Sequence, residues 1–415
     1  MRRTAVFKPE PPTLPGDVRD LFFDRETELD LAIDRLREEE TDRVYSIQGA
    51  RRSGKSHFAR RLVQRAVDEE GLPYTPVVVN AHNRGSARAA LAEIFFRFEG
   101  LITASKFVRD DQQRVAQDFL AQHRLVHLDK VEWSSEAQAR LSLAGEQTHE
   151  LSLGVPNVAS GKATAKVGAQ AEELARRNEK YAALTDRDVV TWLERAADLL
   201  YNLPERRKVL VLLDDLDLVD EEGREGSAAS NALLERLRPL AEHPHVTVVA
   251  TVRHDYADGR KNVFSRLAEL GAMDEPTLRE VYLRRLKTFY EGVAIFDDAA
   301  LQLLLESAEG MVGLFLRNCN YVWERAGRDP KLPLGVDAID AWASWQLRTW
   351  RDDPDYAEAV VMVEEAMRGP RPAAEITLPA DLRRTALHLT LVRPVHGRPG
   401  VWAINPIFRG AIRRP

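Results

Sequence analysis

Apolar positions along the chain recur with two periods, and the alternation between them lays out the elements. Leu29, Ile33 and Leu36 repeat at helical spacing through residues 25–39, behind an Asp24 placed to cap, so the first element is a helix. The run Val44-Tyr45-Ser46-Ile47 is short and continuous, as in a buried strand, and residues 55–67 return to helical spacing. Pro76-Val77-Val78-Val79-Asn80 is the next strand, at the distance expected of a parallel βαβ unit. Residues 86–98, 110–123 and 185–201 read as helices. Residues 208–213 are the most hydrophobic strand of the chain, sized for a central parallel position, and 246–251 are a further buried strand. After Pro276 the pattern is helical, with little strand signal until Leu391. Strands separated by helices predict an α/β fold with a parallel sheet.

Two stretches depart from that rhythm. Residues 1–20 are proline-rich without periodicity and read as an extended arm. Residues 85–205 are longer than a simple crossover and so contain an insertion, at about 100–184. Within it, 148–155 and 162–169 alternate around a turn, which fits either a projecting β-hairpin or a surface loop. The expected organisation is an arm at 1–20, a core at 21–276 carrying the insertion, a helical lid at 277–330, and a basic domain at 331–415.

Composition narrows the class. A chain of 415 residues suits two or three domains, and 44% hydrophobic with 30% charged residues reads as globular. It has no apolar run long enough to cross a bilayer and no secretory-type stretch near Met1, so the expected address is cytoplasmic, with no membrane partner. The lone Cys319 excludes an internal disulfide and reads as a small core residue. A formal net charge of -6 gives no global attraction to nucleic acid, so any DNA contact must be local. Such a locus exists: from Met367 to Pro415 nine arginines face two acids, a local charge of +7.

The chemistry begins at Gly49-Ala50-Arg51-Arg52-Ser53-Gly54-Lys55-Ser56, which matches G-x-x-x-x-G-K-S between a strand and a helix that opens with His57 close behind. Gly49 and Gly54 let backbone N–H groups converge on a β-phosphate, Lys55 reaches the β/γ oxygens, and the Ser56 hydroxyl can hold magnesium, which points to ATP and Mg2+ as cofactors. A magnesium-nucleotide site needs an acid from a neighbouring strand. Asp214 and Asp215 close the strand at 208–213, Asp214 placed to reach the ion through water and Asp215 to polarise an attacking water. Thr251 and Arg253 end the next strand, where a side chain can sense the γ-phosphate.

This order of motifs resembles the AAA+ and STAND superfamily of ATPases, especially the origin-recognition-type initiators and ATPase switches, over about residues 21–330 excluding the insertion. The resemblance implies further roles. Phe22-Phe23-Asp24-Arg25-Glu26 is similar to the family's adenine-side segment, implicating Phe22, Phe23 and Arg25, with Asp24 where the family usually has glycine. Asn262-Val263-Phe264-Ser265-Arg266-Leu267 resembles the arginine-finger segment, so Arg266 would reach the nucleotide of a neighbouring copy in a homo-oligomer. Glu309-Gly310-Met311-Val312-Gly313-Leu314-Phe315-Leu316-Arg317 looks like the lid helix that carries a sensor arginine, here Arg317. The acidic strand ends Asp-Asp rather than the Asp-Glu of many active members, which implies a slow ATP-timed switch rather than rapid turnover.

In the tail, 382–389 read as a short helix, 391–404 as two strands around a glycine-containing turn, and Asn405 caps a last helix opened by Pro406. That arrangement resembles a winged-helix module in which Arg383, Arg384, Arg393 and Arg398 would meet DNA phosphates. The opposing reading is an adaptor whose arginines pair with an acidic protein surface. The expected fold class is thus α/β: a P-loop NTPase core with a parallel sheet, a helical lid and a small C-terminal winged-helix-like α+β domain. Two functions follow: an ATPase switch acting on DNA in replication, transposition or mobile-element biology, or a STAND-like signalling or defence ATPase sensing a protein partner through the 100–184 insertion.

Overall fold

The computed structural model of the protein describes residue 7 and residues 15–38, 44–81, 87–107, 109–132, 186–218, 228–327, 330–368, 375–376, 379, 382, 385–386, 389, 391–394 and 402–413. Along the chain run α1 (Pro15–Asp20), α2 (Glu26–Glu38), β1 (Val44–Gly49), α3 (Lys55–Gln64), β2 (Tyr74–Asn80), α4 (Ala87–Ala104), α5 (Asp110–Glu132), α6 (Asp186–Tyr201), β3 (Lys208–Asp214), α7 (Ala228–Ala241), β4 (Val246–Val252), α8 (His254–Asp258) and β5 (Phe264–Leu270). They continue with α9 (Glu275–Tyr290), α10 (Asp298–Ala308), α11 (Val312–Arg325), α12 (Val336–Arg351), α13 (Ala357–Arg368), β6 (Glu375–Ile376), β7 (Val392–Pro394), β8 (Trp402–Ile404) and α14 (Pro406–Arg413).

These residues divide into two compact units. The sheet unit comprises Thr27–Gly49 and Phe58–Glu269; the helical unit comprises Met1–Glu26, Ala50–His57 and Leu270–Pro415.

The sheet unit is built on a five-stranded sheet of order β2-β3-β4-β1-β5. β1 pairs with β4, β4 with β3 and β3 with β2, each in parallel. The central strands β3 and β4 are buried along nearly their whole length, which is why they read as continuous apolar runs rather than alternating ones. From β1 the chain crosses to β2 at one edge, whereas from β4 it crosses to β5 at the other. Connections that leave adjacent strands in opposite directions open a crevice beyond their C-terminal ends, where ligands of open α/β sheets bind. On one face α4, α5 and α6 pack together, with Phe95 stacked on Phe119 at 4.4 Å between centroids and edge-on to Trp192 at 6.1 Å. The start of the expected insertion is therefore part of a packed helical layer through α5; its 148–169 hairpin falls outside the described residues.

The helical unit holds its own core, running from Leu278 on α9 to Ile412 on α14. Some of its helices begin where a side chain satisfies an orphan N–H group: Asp274 accepts from the Thr277 amide at 2.9 Å to start α9, and Asp297 accepts from the Ala300 amide at 2.8 Å to start α10. Asn405 does the same for the Ile407 amide at 3.2 Å, with Pro406 opening α14 as its sequence implies. β6, β8 and β7 form a three-stranded sheet in that order, both pairings antiparallel. Cys319 lies fully buried on α11, and burial pushes its thiol well above its ordinary value, as for an inert core residue.

Several expectations are corrected. Residues Pro15–Asp20 are helical rather than extended, and Phe7 is buried against Tyr282, their rings stacked at 6.0 Å. Asp24 is not the cap of the first helix: α2 starts at Glu26, whose carboxylate instead accepts from the Arg25 amide at 2.9 Å. The segment around Arg266, to which the sequence reading gave no element, is a strand, β5, on the sheet edge. Helices also continue past residue 330, through α12 and α13, before the small sheet begins. Among the described residues no helix is long and apolar enough to cross a membrane.

Candidate functional site

In the sheet unit, parallel pairing brings the C-terminal ends of β1, β4 and β3 to one edge. Thr251 sits in register with Ile47, two residues before Gly49 ends β1, and Leu213 with Ala250, so Asp214 arrives beside Thr251. Asp214 is 4% exposed and Thr251 fully buried. The Thr251 hydroxyl donates to Asp214 Oδ1 at 2.8 Å, and its oxygen accepts from the Asp215 amide at 2.8 Å. One hydroxyl thus orients a buried carboxylate and fixes the backbone just beyond it. Asp215 takes a left-handed φ of +55°, a conformation aspartate tolerates better than most residues, and is half-buried.

Thr251 was read as a phosphate sensor, yet its proton is committed to Asp214, which makes it a brace for the acid. Replacing it with valine keeps the shape but strips Asp214 of a donor and the Asp215 amide of an acceptor. Thr251→Val is expected to lower unfolding free energy by about 2 kcal/mol in urea denaturation, while Thr251→Ser stays within about 1 kcal/mol of the parent. Arg253, the residue preceding α8, donates through Nε to Asp217 Oδ2 at 2.6 Å. Asp217, buried in the turn after β3, is thus the acid that holds Arg253, a pairing the sequence reading did not foresee.

In the helical unit the loop turns tightly, the Ser53 amide donating to the Ala50 carbonyl at 3.2 Å. Arg52 has φ +66° and Gly54 φ +95°, and a Cβ on Gly54 would lie 3.2 Å from Val312 Cγ1. Lys55 is 6% exposed and its ammonium donates to the Ala50 carbonyl at 2.9 Å. His57 meets the Val18 carbonyl at 2.9 Å; because a carbonyl only accepts, Nε2 carries the proton. Phe22 packs edge-on against that imidazole at 5.7 Å.

The rest of the 22–25 segment is likewise held by specific contacts. Phe23 lies under the Arg284 guanidinium at 4.0 Å, and the buried Arg25 donates through Nη2 to the Gly271 carbonyl at 2.6 Å. Asp24 adopts φ +56°, the left-handed conformation that glycine takes at no cost, and its carboxylate accepts from the Thr277 hydroxyl at 3.2 Å.

Arg317 lies on α11, its guanidinium 5.7 Å from the centre of the Tyr321 ring. Its pKa is pushed down by burial, which Tyr321 opposes and the positive charge of Arg51 reinforces. Arg266 on β5 is 59% exposed at its side chain and paired with Glu269, while its carbonyl accepts from Arg35 Nη1. Of the basic tail, Arg393 is placed by its backbone on β7; Arg383, Arg384 and Arg398 lie outside the described residues.

No family model matches the chain, and no curated protein does. Among solved structures, the chain is similar to the Aeropyrum pernix ORC2 protein, described in ADPNP-ADP complexes, at 14% identity and a TM-score of 0.45, over 99% of this chain and 96% of that one.

Proposed function

We propose that the protein is an ATP-binding switch that hydrolyses ATP slowly, assembles with copies of itself, and acts on DNA through its basic C-terminal region. The observation that carries the nucleotide reading is at one sheet edge: β1 ends at Gly49, where the glycine loop begins, and β3 ends in a buried carboxylate, Asp214, aimed by Thr251. The backbone N–H groups of residues 51–56 would cradle the β-phosphate and Lys55 the β/γ oxygens. The donor set suits magnesium, a hard cation that takes one or two carboxylates and a hydroxyl and completes its shell with phosphate and water. Ser56 would ligate it directly and Asp214 through water. Bound there, magnesium supplies charge neutralisation for the β/γ oxygens.

Asp215 is the base that orients the attacking water, and Arg253, held by Asp217, reads the γ-phosphate. Arg317, with Arg51, supplies positive charge over the phosphates. Arg266 is exposed on an edge strand, where a guanidinium can complete the site of a second copy, so turnover depends on assembly. The aspartate pair at the end of β3 favours timing over speed.

The test is ATP turnover measured with and without duplex DNA, alongside mass in solution. Asp215→Ala is expected to cut turnover by about 10–50-fold with Mg-ATP affinity held within about threefold, since a general base contributes to the rate and little to ground-state binding. A rate indifferent to Asp215 would remove the proposed chemistry. Charge removal at Arg383, Arg384 and Arg398 should weaken DNA binding and flatten its salt dependence.

A second reading has one observation in its favour. An open groove of about 650 Å³ lies between α5 and α6, lined by Phe119, Trp192, Leu199, Arg195 and Asp118, with α5 inside the insertion and α6 directly after it. In that reading the client is a protein engaged through the 100–184 insertion, and ATP-driven assembly proceeds without DNA.

A further inference from the structure

We propose that the amino end of α11 is a latch on the glycine loop, in which the Gly313 amide holds the Arg52 carbonyl and keeps the loop in its phosphate-ready shape. The first turn of any helix presents N–H groups without intrahelical acceptors. For α11 the residue at the cap, Met311, provides no side-chain acceptor. The Gly313 N–H is instead satisfied by the Arg52 carbonyl at 2.9 Å, so the loop itself caps the helix.

The contact is backbone against backbone. A Cβ at position 313 would lie 3.0 Å from Arg52 Cβ, 3.1 Å from its carbonyl oxygen and 3.3 Å from its Cα. From the other side, a Cβ on Gly54 would press on Val312. Glycine is a poor residue for a helix turn, and its place here is explained by that approach.

Arg52 holds φ +66°, a region that residues with a Cβ rarely occupy unless their surroundings over-determine it. Two bonds do so: Ser53 to Ala50 within the loop, and Gly313 from outside it. A rotation of the Arg52–Ser53 peptide would break the Gly313 bond and re-aim the loop amides together. The latch also carries a side chain. Arg317 follows Gly313 by four residues and shares its helix face, so whatever shifts α11 off the loop shifts its guanidinium with it. Loop shape and helix position form one two-state element.

The consequence for ATP rests on the nucleotide reading above, and the test separates the two. Amide hydrogen exchange is followed by mass spectrometry on the full nucleotide-free chain for wild type, Gly313→Ala and Gly313→Val, and Mg-ATP binding by calorimetry on the same proteins. Gly313→Val should speed exchange in peptides covering 50–56 and 312–325 at least tenfold, with β3 and β4 unchanged, and weaken Mg-ATP about tenfold; Gly313→Ala should fall between. Exchange at 50–56 that ignores the valine, with β3 and β4 intact, overturns the latch. Should valine also deprotect β3 and β4, the alanine variant decides, and its matching wild type at 50–56 overturns the proposal equally. A wild type that takes up no Mg-ATP refutes the nucleotide reading, and the exchange comparison still decides the latch.

Discussion

Lys55→Ala is expected to weaken Mg-ATP binding by at least about 100-fold, or roughly 2.7 kcal/mol, measured by calorimetry at fixed ionic strength. The ammonium is 6% exposed and tied to the Ala50 carbonyl, so its position is set before any ligand arrives and little ordering cost remains on binding. A charge-assisted hydrogen bond to phosphate in a place of reduced solvent access is about twice as strong as a neutral one. The loop itself should survive the substitution, because its shape rests on backbone bonds from Ser53 and Gly313. Lys55→Arg should rescue only in part, because the guanidinium is larger and planar while the lysine ammonium is a compact donor. Binding of the alanine variant within about fivefold of wild type would mean that the loop is a structural turn. Because Thr251→Val acts on Asp214 in the sheet unit and Lys55→Ala on the loop, the two should lower Mg-ATP affinity through separate groups.

The strand, glycine loop and helix at 44–64 were legible because each position has a local physical reason: glycine where φ is positive at 54, and a strand and a helix on either side. β3 and β4 were equally plain, since full burial in a parallel sheet makes a strand apolar throughout. β5 was obscured by its edge position: Ser265, Arg266 and Glu269 are only partly covered, and the alternation is weak. Phe7 could not be read as core, because its burial depends on Tyr282 and Phe296, far away in sequence and invisible to any local period. The same holds for Thr251. A threonine at a strand end carries no sign that its hydroxyl will be spent on a neighbouring carboxylate. Asp24 was misassigned as a cap since aspartate serves both caps and left-handed turns, and only the backbone angle separates them.

Gly310 is where the largest loss of stability is expected. It has φ +78°, directly after Glu309, itself left-handed at φ +50°, in the turn that joins α10 to α11. Its carbonyl accepts from the Met273 amide at 2.9 Å. A Cβ at 310 would lie 2.4 Å from the Met273 carbonyl oxygen and 2.7 Å from Ala272 Cβ, and neither is the end of a flexible side chain that can swing away. Gly292 supplies an internal comparison. It shares φ +78° in the turn after α9, and nothing lies within 4 Å of where its Cβ would be. Gly292→Ala should therefore show the cost of the backbone conformation alone, about 1 kcal/mol in urea denaturation. Gly310→Ala adds the displacement of the Met273 peptide and the weakening of its bond, for a total of about 4 kcal/mol. The loss should fall on the transition of the helical unit, followed by the near-ultraviolet signal of Trp323, Trp342 and Trp350, all in or against that unit's core. Equal effects at the two glycines would mean that the 272–273 backbone yields freely, and that the turn between α10 and α11 is not fixed by this contact.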